Sequence, residues 1–440
     1  MAKFRGTDGD DMFRGTAADD VVFGFAGYDQ LLGGAGDDRI FGSGGGDDLH
    51  GEDGNDYLSG GRGFDIIYGG TGNDVAFGGD ADDVLRGEAG DDRLNGDDGA
   101  DSLNGGDGSD ILRGGAGSDT LRGGAGADRL NGGDGIDGFN FGDAFTTAGV
   151  RVDLAKGIVH NDGYGNRERL ISIESAFGAT PFVDILRGSD GRNGLSASIG
   201  DTALGFGGSD VIYAAGVEGA TLDGGRGHDT LSFGDTIMTY VSDRGIEYTY
   251  AERGVVVDLR SQQVKEDGFG GTAEVTGFES LSGARLNDIL IGDQRGNKIF
   301  GSSGDDALYG GAGDDWLSGG SDTDLLTGGR GFDRFVFTNW IDGISASYDD
   351  STSVDRVTDF ETGDRLEVQN TVMVPTGPFI PTHTFIGTAA FTGARGEIRY
   401  EIVDGETAIY VQYGGTLAPD VEIRLAGEHT LTAADFILGA

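Results

Sequence analysis

Aspartate stands at every ninth position from Asp11 to Asp137, and a glycine precedes each one by five residues. Carboxylates repeated in this way are hard oxygen donors. Two kinds of chemistry are open to them: coordination of a hard cation, and acid–base work by one chosen pair. The second has little room, because nearly every regularly placed aspartate already belongs to the row.

The elements that must position this row can be read from the same repeat. From Gly6 to Asn140 the chain is fifteen consecutive nonapeptides without insertion or deletion, of which Gly114-Gly-Ala-Gly-Ser-Asp-Thr-Leu-Arg122 is typical. Position 1 is always Gly and position 6 always Asp; position 4 is Gly except at Ala18 and Ala81. Position 8 is apolar throughout, from Phe13 to Phe139. Glycines at positions 1, 2 and 4 permit a turn with positive φ. Positions 7 to 9 then form a short strand whose central residue faces inward. Two units make an 18-residue coil with a strand on each side and a turn at each end.

Stacked coils bring the position-6 carboxylates into a column along each edge. Like charges ~5 Å apart repel by about 0.8 kcal/mol per pair even in water. An interior one residue thick cannot easily offset that, whereas a divalent cation can. Calcium accepts six to eight oxygens at flexible geometry, and the turns supply carbonyls beside the carboxylates. Its binding energy is then folding energy.

Composition agrees. The 440 residues include 88 glycines and 76 acidic against 31 basic side chains, for a formal charge of −45. Such a charge excludes nucleic acid and anionic membranes as partners and points to cations. Cysteine is absent, which removes disulfides and thiol chemistry. No run approaches a transmembrane segment, and Met1-Ala-Lys-Phe-Arg-Gly6 lacks the apolar core of a signal peptide.

The sequence GGxGxDxUx resembles the repeats-in-toxin (RTX) calcium-binding nonapeptide. The resemblance implies an all-β fold, a right-handed parallel β-roll, in which aspartates of units n and n+2 share an ion with turn carbonyls. It assigns the ligand role to Asp11, Asp20, Asp29, Asp38, Asp47, Asp56, Asp65, Asp74, Asp83, Asp92, Asp101, Asp110, Asp119, Asp128 and Asp137. Outside the first block it assigns the role to Asp210, Asp229, Asp288, Asp306, Asp315, Asp324 and Asp333. The first block would hold up to ~13 Ca2+ ions, with the Ala18 and Ala81 turns the weakest.

The expected organisation has six parts: a first roll block at 1–140, an insert at 141–187, a degenerate block at 188–232, a second insert at 233–282, a third block at 283–337 and a C-terminal cap at 338–440. The inserts are related at one offset of 105 residues, since Gly149-Val-Arg-Val-Asp-Leu aligns with Gly254-Val-Val-Val-Asp-Leu and Ile173-Glu-Ser175 with Phe278-Glu-Ser280. Each reads as an elaborated coil without calcium turns, with Asp153 and Asp258 on the wet face of a strand. The cap should contain antiparallel strands at Glu397–Val403, Thr407–Tyr413 and Val421–Leu425. From about residue 325 the chain is similar to the C-terminal domain of serralysin-type metalloproteases. That implies an uncleaved type I secretion signal at Asp435-Phe-Ile-Leu438, hence export to the extracellular space of a Gram-negative bacterium.

No HExxH, GxSxG or GxxxxGK[ST] motif occurs, so no catalytic residue is assigned. The expectation is a secreted calcium-binding scaffold that folds on Ca2+ after engaging the type I machinery, with a glycan or cell-surface ligand as partner. The alternative is a secretion and folding module of a serralysin-like or glycan-active extracellular enzyme.

Overall fold

The computed structural model describes residues 3–141, 147–178, 182–234, 237–242, 245–339, 354–370, 383–412 and 421–438. The chain divides into two compact units, Met1–Val211 and Ile212–Ala440. Both are all-β stacks of parallel coils.

In the first unit successive strands alternate between two sheets. Arg93–Asp98, Ile111–Ala116 and Arg129–Asp134 pair in parallel in one sheet, with Leu94 opposite Leu112 and Leu112 opposite Leu130. Val84–Ala89, Ser102–Asp107 and Thr120–Ala125 do the same in the other. The 18-residue register follows from two nonapeptides per coil. Each strand from Val21–Ala26 to Arg129–Asp134 runs beyond the expected positions 7 to 9, through position 3 of the next unit. Two positions per strand are therefore buried. One is the apolar position 8, from Val22 to Phe139 without solvent exposure above 1%. The other is the position-1 glycine of the following unit.

The core is one side chain deep on each sheet, so each Leu contributes on the order of 1.5–3 kcal/mol and no second layer reinforces it. Outward-facing aromatics add a short ladder on one sheet: Phe23 stacks on Phe41 at 5.0 Å, and Tyr57 follows at 5.6 Å.

The inserts are antiparallel excursions from the stack. In the first, Arg151–Asp153 pairs antiparallel with Ile158–Asn161, which pairs antiparallel with Glu168–Ile171. The outer two strands rejoin the parallel sheet, against Ile185–Arg187 and Arg129–Asp134. Within the second unit Val255–Asp258, Gln263–Asp267 and Ala273–Thr276 repeat this arrangement. Each insert thus contributes three antiparallel strands.

Asp153 and Asp258 are not on a wet face. Both are 5% exposed. Asp258 is held by Lys265 Nζ at 2.7 Å and Arg260 Nε at 3.1 Å, and Asp153 caps a short 3-10 turn and pairs with Lys156. Basic side chains fold over each, Lys156 and Arg260 from the turn that follows and Lys265 from the next strand.

The C-terminal segment first adds parallel strands to the stack. Arg365–Asn370 pairs with Arg334–Asn339, and Phe436–Leu438 with Arg365–Asn370. Asp355–Val357 pairs with Leu325–Arg330 on the other side. Glu397–Val403, Glu406–Gln412 and Val421–Leu425 then form the expected antiparallel cap, Tyr413 lying outside the described residues.

Candidate metal centre

Parallel stacking brings position-6 aspartates 18 residues apart into contact. Asp110 N–H donates to Asp128 Oδ1 at 2.8 Å and Asp119 N–H to Asp137 Oδ1 at 2.9 Å, and the same bond recurs from Asp11–Asp29 onward. In the second unit it links Asp288 to Asp306, Asp306 to Asp324, and Asp315 to Asp333. Each carboxylate thus spends one oxygen on the coil before it.

The other oxygen is the notable one. Oδ2 of every position-6 aspartate from Asp29 to Asp137, and of Asp306 and Asp315, is buried with no hydrogen-bond partner. An unpaired buried carboxylate oxygen costs several kcal/mol unless something neutralises it. The position-1 glycines line the space it faces. A Cβ added at Gly105 would collide with both Asp110 Oδ2 and the Gly123 carbonyl oxygen. Carboxylate and carbonyl oxygens therefore converge where no side chain fits, a cradle suited to a hard cation of calcium type. Among the described residues no three His, Cys, Asp or Glu side chains gather on one point. The donors are carboxylates completed by backbone carbonyls.

Electrostatics record the strain of leaving these oxygens unneutralised. Burial, aided by neighbouring carboxylates and opposed by the inter-coil N–H bond, pushes Asp56, Asp83, Asp92, Asp128 and Asp315 up to about 7. The same causes take Asp306 up to about 8.

Not every turn is open. Thr7 N–H donates to Asp11 Oδ2 at 2.6 Å, Thr16 N–H to Asp20 Oδ2 at 2.8 Å, and Ala284 N–H to Asp288 Oδ2 at 2.6 Å. Ser189 and Asp293 fill Asn193 Oδ1 and Asn297 Oδ1 in the same manner. What separates the classes is the backbone at position 2. In open turns it is left-handed, as at Gly124 (φ 99°) and even Phe25 (φ 87°) and Glu88 (φ 75°). None of Thr7, Thr16, Ser189, Ala284 and Asp293 has positive φ. β-branched Thr resists that region, so its N–H turns inward onto the carboxylate. Of the two turns expected to be weak, Asp20 beside Ala18 is closed, whereas Asp83 beside Ala81 stays open.

Some members of the columns were not foreseen. Asp137 N–H donates to Glu174 Oε2 at 2.9 Å, and Asp229 N–H to Glu279 Oε2 at 3.1 Å. Asp184 accepts from Val150 N–H and donates to Asp201. Asp324 and Asp333 donate to Asp355 and Asp364 in the C-terminal segment. Asp210, already assigned from the repeat, joins through Asn193 N–H. Each unforeseen acid precedes an inward apolar residue by two positions, as in Glu279-Ser-Leu281 and Asp364-Arg-Leu366. That spacing, read without the nine-residue count, would have found them.

Comparison with known proteins gives one family-level match. A family model described as the RTX calcium-binding nonapeptide repeat (4 copies) matches residues 5–40, 32–67, 41–76, 68–103, 77–112, 104–139, 282–317 and 300–335. No curated protein matches. Among solved structures, the R3 subunit of the mannuronan C5-epimerase AlgE6 of Azotobacter vinelandii is 29% identical over 35% of this chain and 78% of its own, with a TM-score of 0.24. The R2 subunit of the same enzyme is 26% identical over 34% of this chain and 88% of its own, with a TM-score of 0.23. The extracellular lipase LipA of Serratia marcescens is 14% identical over 86% of this chain, with a TM-score of 0.23; the chain spans only 40% of that lipase. None of these superposes the whole molecule. The family model identifies RTX calcium-binding nonapeptide repeats at residues 5–139 and 282–335, the stretches that hold the open rows of Asp29 to Asp137 and of Asp306 and Asp315.

Proposed function

We propose that the chain is a secreted, non-catalytic calcium-binding scaffold whose roll forms on Ca2+ binding after type I export. The observation that carries this reading is the uninterrupted row of buried, partnerless Oδ2 atoms from Asp29 to Asp137. Calcium would supply the positive charge these oxygens lack. The aspartates hold one oxygen toward the preceding coil and offer the other to the cradle, while the position-1 glycines keep the cradle clear. Asp210, Asp229, Asp306, Asp315, Asp324 and Asp333 serve the later columns. Asp11, Asp20 and Asp288 are column ends whose own turns satisfy them.

Export follows the same electrostatics. Where calcium is scarce, unneutralised columns hold the chain open; at millimolar calcium they close. The C-terminal cap, similar to that of serralysins, places Phe436–Leu438 in the last coil and serves as the secretion signal. The folded surface then engages a glycan or cell-surface ligand.

A calcium titration in buffer first cleared with EGTA, followed by far-UV circular dichroism with bound metal counted, tests this. A cooperative coil-to-β transition with many ions bound is expected. A roll fully formed in chelator would overturn it.

A further inference from the structure

The first insert returns to the stack with a glutamate where the column calls for an aspartate. Glu168–Ile171 pairs in parallel with Arg129–Asp134, placing Arg169 opposite Arg129 and Leu170 opposite Leu130. Arg169 N–H donates to the Asp128 carbonyl at 3.0 Å, as Arg129 N–H does to Asp110 at 2.9 Å. Glu168 therefore occupies position 6 of the coil above Asp128.

Its surroundings are those of an ion cradle. Glu168 is 4% exposed, and its Oε2 has no hydrogen-bond partner. The site a Cβ on Gly123 would take lies 3.0 Å from Glu168 Oε1 and closer still to Asp128 Oδ2, itself partnerless. Asp162 adds a third buried charge nearby, its own oxygens committed to Tyr164 N–H, Asn166 N–H and the Asn166 amide. Burial first, and then the charges of Asp128 and Asp162, holds the Glu168 carboxyl well above the usual range.

The second insert is the natural control. At the 105-residue offset Ala273 replaces Glu168, and it stands over Ala220 in place of Asp128, since Thr221 lies opposite Glu274 and Glu274 N–H donates to the Ala220 carbonyl. Asp267, which matches Asp162, takes N–H bonds from Val217, Phe269 and Gly271. The same three-strand insert thus forms with neither of the paired carboxylates. Glu168 is not needed to build the strand.

We propose that Asp128 and Glu168 form a divalent-cation site, closed by backbone carbonyls, that ends one column of the first block and fastens the first insert to it. The site has no counterpart in the second insert. It rests on the calcium reading of the columns, because Asp128 belongs to both. Oxygen-only donors, with a glutamate able to reach across a wider gap than aspartate, fit calcium.

The test uses the full chain with calcium as the probe and compares wild type with Glu168→Gln and with Glu168→Ala, which copies the second insert. Bound calcium is counted at saturation, and hydrogen exchange is followed peptide by peptide. Each variant should bind one ion fewer and exchange severalfold faster over 168–171, while 84–125 keeps wild-type protection. Wild-type ion number and protection in both variants would overturn the site and leave the column reading standing. Loss of protection through 84–125 would also overturn it, since the glutamate would then be part of the roll and not a separate fastening. A wild-type chain that binds no calcium would bring down both readings together.

Discussion

The turns at the start of the first block and those in its middle share glycine at position 1 and aspartate at position 6, yet they use the carboxylate differently. At Asp11 and Asp20 the chain fills the carboxylate with its own N–H groups. From Asp29 to Asp137 it leaves one oxygen bare. The difference lies in a single backbone torsion at position 2. A left-handed residue there costs an L-amino acid on the order of 1–2 kcal/mol, and Phe25, Glu52, Glu88 and Asp97 all adopt it. The lesson is that an unsatisfied carboxylate in this fold is a maintained state. The local chain has a simple way to quench it and does so at column ends.

Removing the metal should break this contrast most completely. In EGTA the open-turn block is expected to lose its β signal, since rows of buried carboxylates then face one another unneutralised. Retention of the full far-UV signal would show that open and closed turns do not differ in need of a cation.

Acid should partly substitute for metal in the columns, and act with opposite sign at Asp258 of the second insert. Burial raises Asp56, Asp83 and Asp92 from the ordinary aspartate value of 3.8 to about 7 in the folded chain. A raised folded pKa means stability present below about 4 and lost as pH climbs toward 7. Metal-free protein is therefore expected to show more β structure at pH 5 than at pH 7.5, while calcium midpoints move to higher concentration at pH 5 through proton competition. Asp258 behaves oppositely: Arg260 and Lys265 outweigh its burial and hold its pKa below the ordinary value. Its contribution is present above pH 4 and declines only in stronger acid. Circular dichroism across this range, with and without calcium, checks both signs.

Single turns come next. Asp92→Asn removes a charge from an open cradle and should cost about 1–3 kcal/mol of calcium-dependent stability, the range for a lost buried charged contact. Asp20→Asn, which reproduces the closed Asn193 turn, should leave the calcium midpoint near wild type. Equal effects in a titration would dissolve the distinction. The smallest change is Thr16→Gly. Freed to become left-handed, position 2 should release Asp20 Oδ2, and metal analysis should find one additional ion; an unchanged count would place the control elsewhere than in that torsion.

Much of this was legible in the sequence where the period is strict. Position 8 gave the core and position 6 the columns, because each nonapeptide repeats the same local geometry and no long-range decision is needed. Legibility failed where the count is interrupted. Asp137 finds its next column partner 37 residues on at Glu174, and Asp229 finds its own 50 residues on at Glu279. There the register is set by which apolar residue re-enters the core, Ala176 or Leu281, and not by distance along the chain. Asp153 and Asp258 were misplaced for a related reason. Strand alternation gives the direction of a side chain but not what the neighbouring turn and strand lay over it.

The inter-coil bond from each aspartate N–H to the carboxylate 18 residues later gives the stack a direction. Every coil lends an acceptor to the coil before it and borrows one from the coil after it. For this bond, trimming coils from the N-terminal side takes away donors, and the carboxylate oxygens left behind can turn to water. Trimming from the C-terminal side strands buried N–H groups with nothing to receive them. The carboxylate column is thus polar along the stack, while the backbone ladder beside it runs both ways, Gly6 N–H reaching forward to the Phe23 carbonyl and Gln30 N–H reaching back to that of Asp11.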